Sequence, residues 1–139
     1  MTRIFLLLAC LFGATAVGLG AFGEHILKKL LSEYHLQIFE TGVRYQFYHA
    51  LALIATAILS RYLSRRATRA AGWMFVAGTA LFSGSLYFLA FEEVLGLGEF
   101  RSILGPMTPI GGLLFIGGWV ALLVASTGYK KGHYKQHSK

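Results

Sequence analysis

Three long apolar runs constrain the fold of this chain more than any other feature. Residues 4–23, 70–91 and 110–127 contain no Asp, Glu, Lys or Arg. The hydrocarbon core of a bilayer is about 30 Å thick, so a helix rising about 1.5 Å per residue needs about 20 apolar residues to cross it. Each run is close to that length. We therefore predict that each of them forms a transmembrane helix.

The composition agrees with a membrane protein. Hydrophobic residues make up 55% of the chain and charged residues only 14%, and the mean hydropathy is +0.58. A soluble domain needs a charged shell around its core, whereas a bilayer-embedded protein leaves most of its perimeter apolar. At 139 residues, the chain is expected to form one membrane domain over residues 1–139.

A further span is predicted at residues 43–63. Its helix is expected to begin nearer Phe39, so this span has a polar upstream end. The span at 110–127 follows Pro109, and proline suits the first turn of a helix. The predicted fold is all-α, a polytopic bundle of four transmembrane helices at about 4–23, 43–63, 70–91 and 110–127.

The distribution of charge predicts the orientation of the four spans. One side carries the basic residues of the N-terminus, the middle connection and the tail 128–139: Arg3, Arg61, Arg65, Arg66, Arg69, Lys130, Lys131, Lys135 and Lys139. The other side carries four basic residues and every acid: Lys28, Lys29, Arg44, Arg101, Glu24, Glu33, Glu40, Glu92, Glu93 and Glu99. Because positive residues favour the cytoplasm, we expect a multi-pass cell membrane protein with both termini cytoplasmic.

The formal net charge of +7 does not indicate nucleic-acid binding. The basic residues flank apolar spans and form no separate basic domain, so no nucleic-acid partner is expected. The lipid bilayer is the predicted partner, with a homo-oligomer or a membrane complex as further options. The single cysteine, Cys10, excludes an intrachain disulfide.

The N-terminus has two alternative interpretations. Arg3 followed by an apolar run and Ala14-Thr15-Ala16 resembles a signal peptide, and residues 7–10 resemble a lipoprotein cleavage site. The apolar run continues to Gly23, however, which is long enough to cross a bilayer. An uncleaved first span is therefore favoured.

The segment between the first two spans is amphipathic. One helical face carries Ile26, Leu27, Leu30, Leu31, Tyr34 and Ile38, and the opposite face carries Lys28, Lys29, Ser32, Glu33 and Gln37. We predict an amphipathic interfacial helix here. A connector packed on the bundle instead of on lipid is the alternative, and the pattern does not separate the two.

Small residues recur in the apolar runs. Gly18-x-Gly20-x-x-Gly23 matches a dinucleotide-binding string, but that string functions between a strand and a helix of a soluble domain. Small residues spaced three and four apart instead allow close approach of transmembrane helices. The predicted packing glycines are Gly13, Gly20, Gly23, Gly84, Gly111 and Gly112.

Polar residues near the outer ends of the first two spans form the candidate binding site, because ionisable groups near hydrocarbon are costly. The candidates are His25, Glu40, Arg44, Tyr45 and His49. Glu40 and Arg44 have the spacing of a helical ion pair. His49 has three alternative interpretations, in decreasing order of preference: a packing residue, a proton carrier, and a haem or metal ligand. No metal-binding spacing occurs, so no metal and no cofactor are predicted.

Four blocks of sequence resemble the DUF423 or UPF0382 group of small bacterial membrane proteins, whose eukaryotic relatives include transmembrane protein 256. They are residues 20–25 (GAFGEH), 39–53 (FETGVRYQFYHALAL), 81–87 (LFSGSLY) and 108–119, the last beginning TPIGG and ending GW. Glu24 stands where the family often has a small residue, which weakens a general role for that carboxylate. The resemblance implies a four-span membrane protein and no established activity.

The sequence favours a non-enzymatic membrane component that binds a partner protein or a lipophilic small molecule. The alternative is a small oligomeric transporter or channel in which Glu40, Arg44 and His49 line a path for protons, ions or a small solute. An enzyme is not expected, because neither a metal motif nor a nucleophile with its base is recognised. Ser83 and Ser85 are interpreted as bonding to backbone carbonyls of the preceding turn.

Overall fold

The computed structural model describes residues 2–96, 98 and 101–127, and it is all-α as predicted. Four long helices follow one another along the chain, with a 3₁₀ turn at Leu27–Lys29 and a single-turn helix α4 at Glu92–Leu95. The long helices are α1 (Thr2–His25), α2 (Glu33–Leu59), α3 (Arg65–Ala90) and α5 (Arg101–Thr127). The predicted basic tail lies outside the described residues.

Three of the four long helices are long and apolar enough to cross a membrane: α1 with the turn that follows it, α3, and α5 from Ser102. The predicted spans 4–23 and 110–127 lie within them, and the predicted span 70–91 extends one residue beyond the end of α3. Helix α2 does not reach the same apolarity, since its first half carries Glu33, Glu40 and Arg44 together with uncharged polar residues. Its length is nevertheless 27 residues, about 40 Å at the usual helical rise.

The amphipathic segment between the first two spans does not form a helix of its own. Residues Leu27–Lys29 form the 3₁₀ turn, and α2 begins at Glu33 and continues without a break. Ser32 explains the division: it has extended backbone angles, and its Oγ accepts a hydrogen bond from the backbone N–H of His35 at 3.4 Å. Such a cap begins a new helix. The expected start near Phe39 is therefore six residues too late.

The last helix also begins earlier than predicted. Helix α5 starts at Arg101, and both Pro106 and Pro109 lie inside it. The prediction that Pro109 begins the helix is wrong; it rests on the preference of proline for a first turn, where its missing N–H has no helical partner. Each internal proline forfeits one helical hydrogen bond, a loss that helices packed in a membrane tolerate.

The helices pack in chain order: α1 on α2, α2 on α3, and α3 on α5. All three pairs are antiparallel, so the helix ends and their connections gather at two opposite ends of the bundle. The arginine end contains the start of α1 and the α2–α3 connection. The glutamate end contains the α1–α2 connection and α4. The larger apolar core is built around Phe5, Leu53, Phe75 and Phe115, and a smaller core around Leu27, Phe39 and Ala90 lies at the glutamate end.

The predicted packing glycines differ in how closely their neighbours approach. A Cβ added at Gly111 would lie 2.5 Å from the backbone nitrogen of Phe82, whereas one at Gly112 would lie 3.8 Å from its ring. On α1, a Cβ at Gly13 would be 4.0 Å from Ala50, one at Gly20 3.5 Å from Val43, and one at Gly23 3.1 Å from Phe39. Gly84 has no such neighbour within 4 Å.

Two other glycines make closer contacts than most of the predicted ones. A Cβ at Gly42 would lie 2.8 Å from the Tyr87 ring, and one at Gly72 would overlap the ring of Phe5. Gly42 allows α2 to approach α3 closely, and Gly72 leaves space for the Phe5 ring of α1. Both positions require the absence of a side chain, because real Cβ atoms do not come that close to other atoms.

Candidate functional site

The five candidate residues lie in three separate places. Glu40 and Arg44 line a groove between α1 and α2. Tyr45 and His49 belong to an aromatic cluster that reaches α3 and α5. His25 is exposed at the end of α1. Residues four apart on a helix share a face, whereas Arg44 and Tyr45 are adjacent and point about 100° apart.

The α1–α2 groove is lined by Gly20, Gly23, Phe39, Glu40, Val43 and Arg44, and its volume is about 230 Å³. The glycines of α1 leave the space, because neither has a side chain to fill it. Phe39 is buried beneath it and Val43 is half-buried, while the two charged side chains are exposed. The groove therefore combines an apolar wall with one acid and one base.

The predicted ion pair between Glu40 and Arg44 does not form, although both residues are in the described part of the chain. Arg44 instead directs Nη2 to the hydroxyl of Thr41, one turn earlier on the same helix, at 3.4 Å. Thr41 in turn donates to the carbonyl of Gln37. The Glu40 carboxylate and the Arg44 guanidinium at the groove thus do not neutralise each other.

His49 lies at the centre of the aromatic cluster, which consists of Tyr45, His49, Phe75, Phe82, Phe115 and Trp119. Its imidazole is only 5% exposed and lies parallel to the Phe115 ring, with 3.4 Å between the ring centroids. Its Nδ1 is 2.8 Å from the carbonyl of Tyr45; a carbonyl only accepts, so Nδ1 carries the proton. This geometry favours the interpretation of His49 as a packing residue.

The buried side-chain amide of Gln46 joins three helices, and its only signal in the sequence is a polar residue inside an apolar run. Gln46 donates to the carbonyl of Phe12 at 2.9 Å and to the hydroxyl of Thr15 at 2.8 Å. Its Oε1 accepts a hydrogen bond from the hydroxyl of Tyr87 at 2.9 Å. In an apolar environment such bonds stabilise helix association.

Helix α3 carries further hydroxyls whose interactions differ from one another. Ser85 donates to the carbonyl of Phe82, as predicted, and its Oγ is 2.7 Å from that of Thr108 on α5. Ser83 was expected to bond in the same way, but its buried hydroxyl and that of Thr79 have no hydrogen-bond partner among the described residues. Thr79 and Ser83 lie between Phe75 and Tyr87 at four-residue intervals, on the ridge that packs against α2.

A second buried polar pair ties the glutamate end together. Nε2 of His35 lies 3.6 Å from Oε1 of Glu92, and both side chains are at most one-tenth exposed. Nδ1 of His35 is 2.8 Å from Oγ of Ser32, the residue that caps α2. The sequence offers no signal for this pair, because His35 and Glu92 are 57 residues apart and belong to different elements. Within the described ranges, no three metal-ligating side chains are grouped.

The chain is similar to small membrane proteins of bacteria. The family model described as "Protein of unknown function (DUF423)" matches residues 19–112. The UPF0382 membrane protein YwdK of Bacillus subtilis is 42% identical over 128 residues, which are 91% of this chain and 98% of that protein. A UPF0382 membrane protein of Staphylococcus epidermidis is 43% identical over 89% of this chain and 95% of its own length. No solved structure matches.

Proposed function

Because this chain belongs to the DUF423 or UPF0382 family of membrane proteins, we propose a function exercised within the bilayer. The protein is a non-enzymatic, four-span component that binds a lipophilic small molecule with a polar head in the α1–α2 groove. The observation that carries the proposal is the groove itself, in which an apolar wall meets a carboxylate and a guanidinium that do not pair with each other.

The packing of α2 supports its assignment as the second span. Helix α2 lies between α1 and α3, so a bilayer that these two helices cross is also crossed by α2. Two of its polar residues are turned into the bundle: Gln46 bonds to α1 and α3, and His49 stacks on α5. With an even number of spans, both termini lie on the arginine end, and the positive-inside rule makes that end cytoplasmic.

The chemistry of the groove indicates the kind of molecule it binds. Phe39, Val43 and the two glycines offer contact to an apolar chain or ring. Glu40 and Arg44 offer an acceptor and a donor of opposite charge, which suits a head group with both a hydrogen-bond donor and an acceptor. Charged groups near hydrocarbon are costly when unpaired, so a polar head bound to both of them offsets that cost.

The size of the groove favours a small molecule over a partner helix. Its volume of about 230 Å³ is below the roughly 300–1,000 Å³ of pockets that enclose drug-sized ligands. It therefore accommodates one ring or a short segment of acyl chain, with the rest of the molecule in the surrounding lipid. A partner helix would instead need a strip of contact along several turns.

Transport is less well supported by the positions of the residues. The transport hypothesis needs Glu40, Arg44 and His49 along one path, but the first two open on the α1–α2 groove and His49 is enclosed by aromatic rings facing α5. Flux into liposomes that depends on both Arg44 and His49 would reverse this preference.

The binding proposal is tested by filling the groove. Wild-type protein, Gly20→Leu and Gly84→Leu are purified from native membranes in mild detergent, and the bound small molecules are extracted and quantified by mass spectrometry per mole of protein. The leucine at position 20 occupies the groove, whereas Gly84 faces open space and serves as the matched control. We expect one lipophilic compound to be retained by wild type and Gly84→Leu and to fall at least about tenfold in Gly20→Leu.

The head-group contacts are tested separately with Glu40→Gln and Arg44→Gln, which remove one charge each while keeping the size of the side chain. Both are expected to lower the affinity by at least about 10-fold, because a hydrogen bond to a charged group contributes about 1.5–3 kcal/mol. The proposal would be refuted if all variants retained equal amounts of every bound small molecule. It would also be refuted if wild type retained no compound above the level of a detergent blank. Helical content by circular dichroism controls for misfolding.

A further inference from the structure

A second cavity lies at the arginine end, far from the α1–α2 groove. Its volume is about 640 Å³, which is within the range of sites that enclose whole ligands. Four of its lining residues are arginines of the α2–α3 connection and the first turns of α3: Arg61, Arg65, Arg66 and Arg69. All four side chains are exposed and thus accessible to a ligand.

The acidic side chains that the structure describes do not neutralise these arginines. They lie towards the glutamate end: Glu24, Glu33, Glu40 and Glu92. Among the described residues, the arginines of this cavity form no ion pair. Four like charges around one cavity repel one another, so an anion bound among them gains from every one of them.

The backbone at this position favours an anion as well. Helix α3 begins at Arg65, and the side chain of the preceding Ser64 makes no capping hydrogen bond. The first intrahelical bond runs from the N–H of Thr68 to the carbonyl of Ser64 at 3.0 Å. The N–H groups of the first turn and the positive end of the helix dipole are therefore presented beside the arginines, an arrangement that binds phosphate groups in many proteins.

The cavity is built by three helices and is not merely a charged surface. Phe5 of α1 and Thr68 of α3 line it and are almost fully buried. The hydroxyls of Thr2 and Ser60, which also line it, lie 3.2 Å apart and join α1 to the end of α2. The base of the cavity is thereby fixed by the fold, while the arginines surround its opening.

Aromatic side chains place the cavity at the depth of lipid head groups. Tyr62 is 66% exposed beside Arg61, and Trp73 is 45% exposed two turns into α3. The Trp73 ring also meets that of Phe5 edge to face, with 5.7 Å between centroids. Exposed Tyr and Trp residues collect at the membrane–water interface. Phosphate groups of lipids lie at the same level, next to the opening of the cavity.

We propose that this cavity binds the phosphate of an anionic phospholipid. The arginines and the first turn of α3 hold the phosphate, and the acyl chains remain in the bilayer along the exposed apolar faces. Basic pockets between transmembrane helices on the cytoplasmic side are known to bind such head groups. Setting the orientation of the protein by the positive-inside rule would explain the basic residues of this connection. It would not explain the cavity between the helices or the uncapped start of α3.

The test compares phosphatidylglycerol with phosphatidylcholine, which both contain phosphate but differ in net charge. Purified protein in mixed detergent micelles is titrated with each lipid, and retained lipid is measured by native mass spectrometry. The variants are the double substitution Arg61→Gln/Arg65→Gln and, as a matched control, Lys28→Gln/Lys29→Gln, which removes two exposed charges at the other end. Arg66→Gln/Arg69→Gln provides an independent second pair.

We expect wild type and the lysine control to prefer phosphatidylglycerol, and each arginine pair to lose about 25-fold in affinity, about 5-fold for each charge. Equal losses in the lysine and arginine variants, or no preference in wild type, would overturn the proposal. Inorganic phosphate is added in a further arm. Displacement of the lipid by millimolar phosphate would identify a site for soluble anions and would refute the lipid assignment. Failure of this test leaves the α1–α2 groove unaffected, since the two cavities share no residue.

Discussion

The α3–α5 and α1–α2 interfaces contain the same kind of residue and are packed differently. Between α3 and α5, a Cβ added at Gly78 would lie 2.7 Å from the Phe115 ring, and one at Gly118 would lie 2.6 Å from the Phe75 ring. Between α1 and α2, the corresponding distances at Gly13 and Gly20 are 4.0 and 3.5 Å. The first interface is closed around its glycines, whereas the second leaves a groove beside them.

The residues opposite the glycines account for this difference. Gly111 of α5 faces the backbone of Phe82, and bulky rings from the opposite helix cover Gly78 and Gly118. On α1, Gly13 and Gly20 face the small side chains of Ala50 and Val43 instead, and only Gly23 approaches a ring, that of Phe39 at 3.1 Å. A stripe of small residues thus permits close packing but does not determine it. Stability is expected to depend on glycines in the closed interface and on polar contacts in the open one.

The largest effect is expected from Gly111→Ala. The added methyl group would lie 2.5 Å from a backbone atom, which no rotamer change relieves, so we expect a loss of about 1–3 kcal/mol in the free energy of unfolding. Unfolding in detergent with increasing denaturant, followed by circular dichroism, measures it. Gly112→Ala is the matched control, because its methyl group would make only ordinary contact at 3.8 Å. Equal stability of the two variants would contradict the closed interface.

A smaller loss is expected from Gln46→Leu in the open interface. The substitution removes two hydrogen bonds to α1 and leaves the Tyr87 hydroxyl without its acceptor. Because such bonds contribute about 0.6 kcal/mol each on average in membranes, we expect a loss of about 1–2 kcal/mol by the same assay. In the Tyr87→Phe background, the cost of Gln46→Leu should decrease, since the orphaned hydroxyl is absent. An unchanged cost would show that the bond to Tyr87 contributes nothing.

A still smaller effect is expected from Gly20→Ala. The added methyl group would lie 3.5 Å from Val43, an ordinary van der Waals distance, so the change in unfolding free energy should be below about 0.5 kcal/mol. Gly118→Ala, whose Cβ would meet the Phe75 ring at 2.6 Å, is the comparison from the closed interface. If Gly20→Ala were the more destabilising of the two, the contrast between the interfaces would be wrong.

The smallest effect, and one of opposite sign, is expected from Gly84→Ala. Beyond its own helix turn, no atom lies within 4 Å of the added methyl group, so only the helix propensity changes, and it favours alanine over glycine. The variant should match or slightly exceed wild type in thermal stability. Destabilisation would reveal that Gly84 contacts a second copy of the chain or another partner.

Much of the helical framework could be predicted from the sequence, because runs of about 20 apolar residues have few alternatives. The starts of α2 and α5 could not. The cap on α2 depends on the backbone angles of Ser32, and the prolines of α5 are tolerated only in the context of its packing on α3. Local preferences are weak compared with such tertiary effects.

The five candidate residues stay a prediction as a site, but the structure shows which of them lie together. Glu40 and Arg44 line one groove, and Tyr45 and His49 share the aromatic cluster, in keeping with their four-residue spacing on α2. The sequence did not reveal the partners across helices: Gln46 meets a tyrosine 41 residues away, and His35 meets Glu92. Such pairs depend on how the helices are rotated against one another, and the pattern of one chain leaves that rotation open.

The contacts of Gln46 bear on how the protein enters the membrane during synthesis. Helix α2 is the one described long helix that lacks a stretch apolar enough to count as a membrane span. The side-chain amide of its Gln46 donates to Phe12 and Thr15 of α1. Both partners are translated before α2, whereas Tyr87 follows 41 residues later. We therefore expect α2 to leave the translocation channel together with α1, as a hairpin that shields its own polar group from lipid. A chain deprived of α1 would insert α2 poorly, even though every residue of α2 were unchanged.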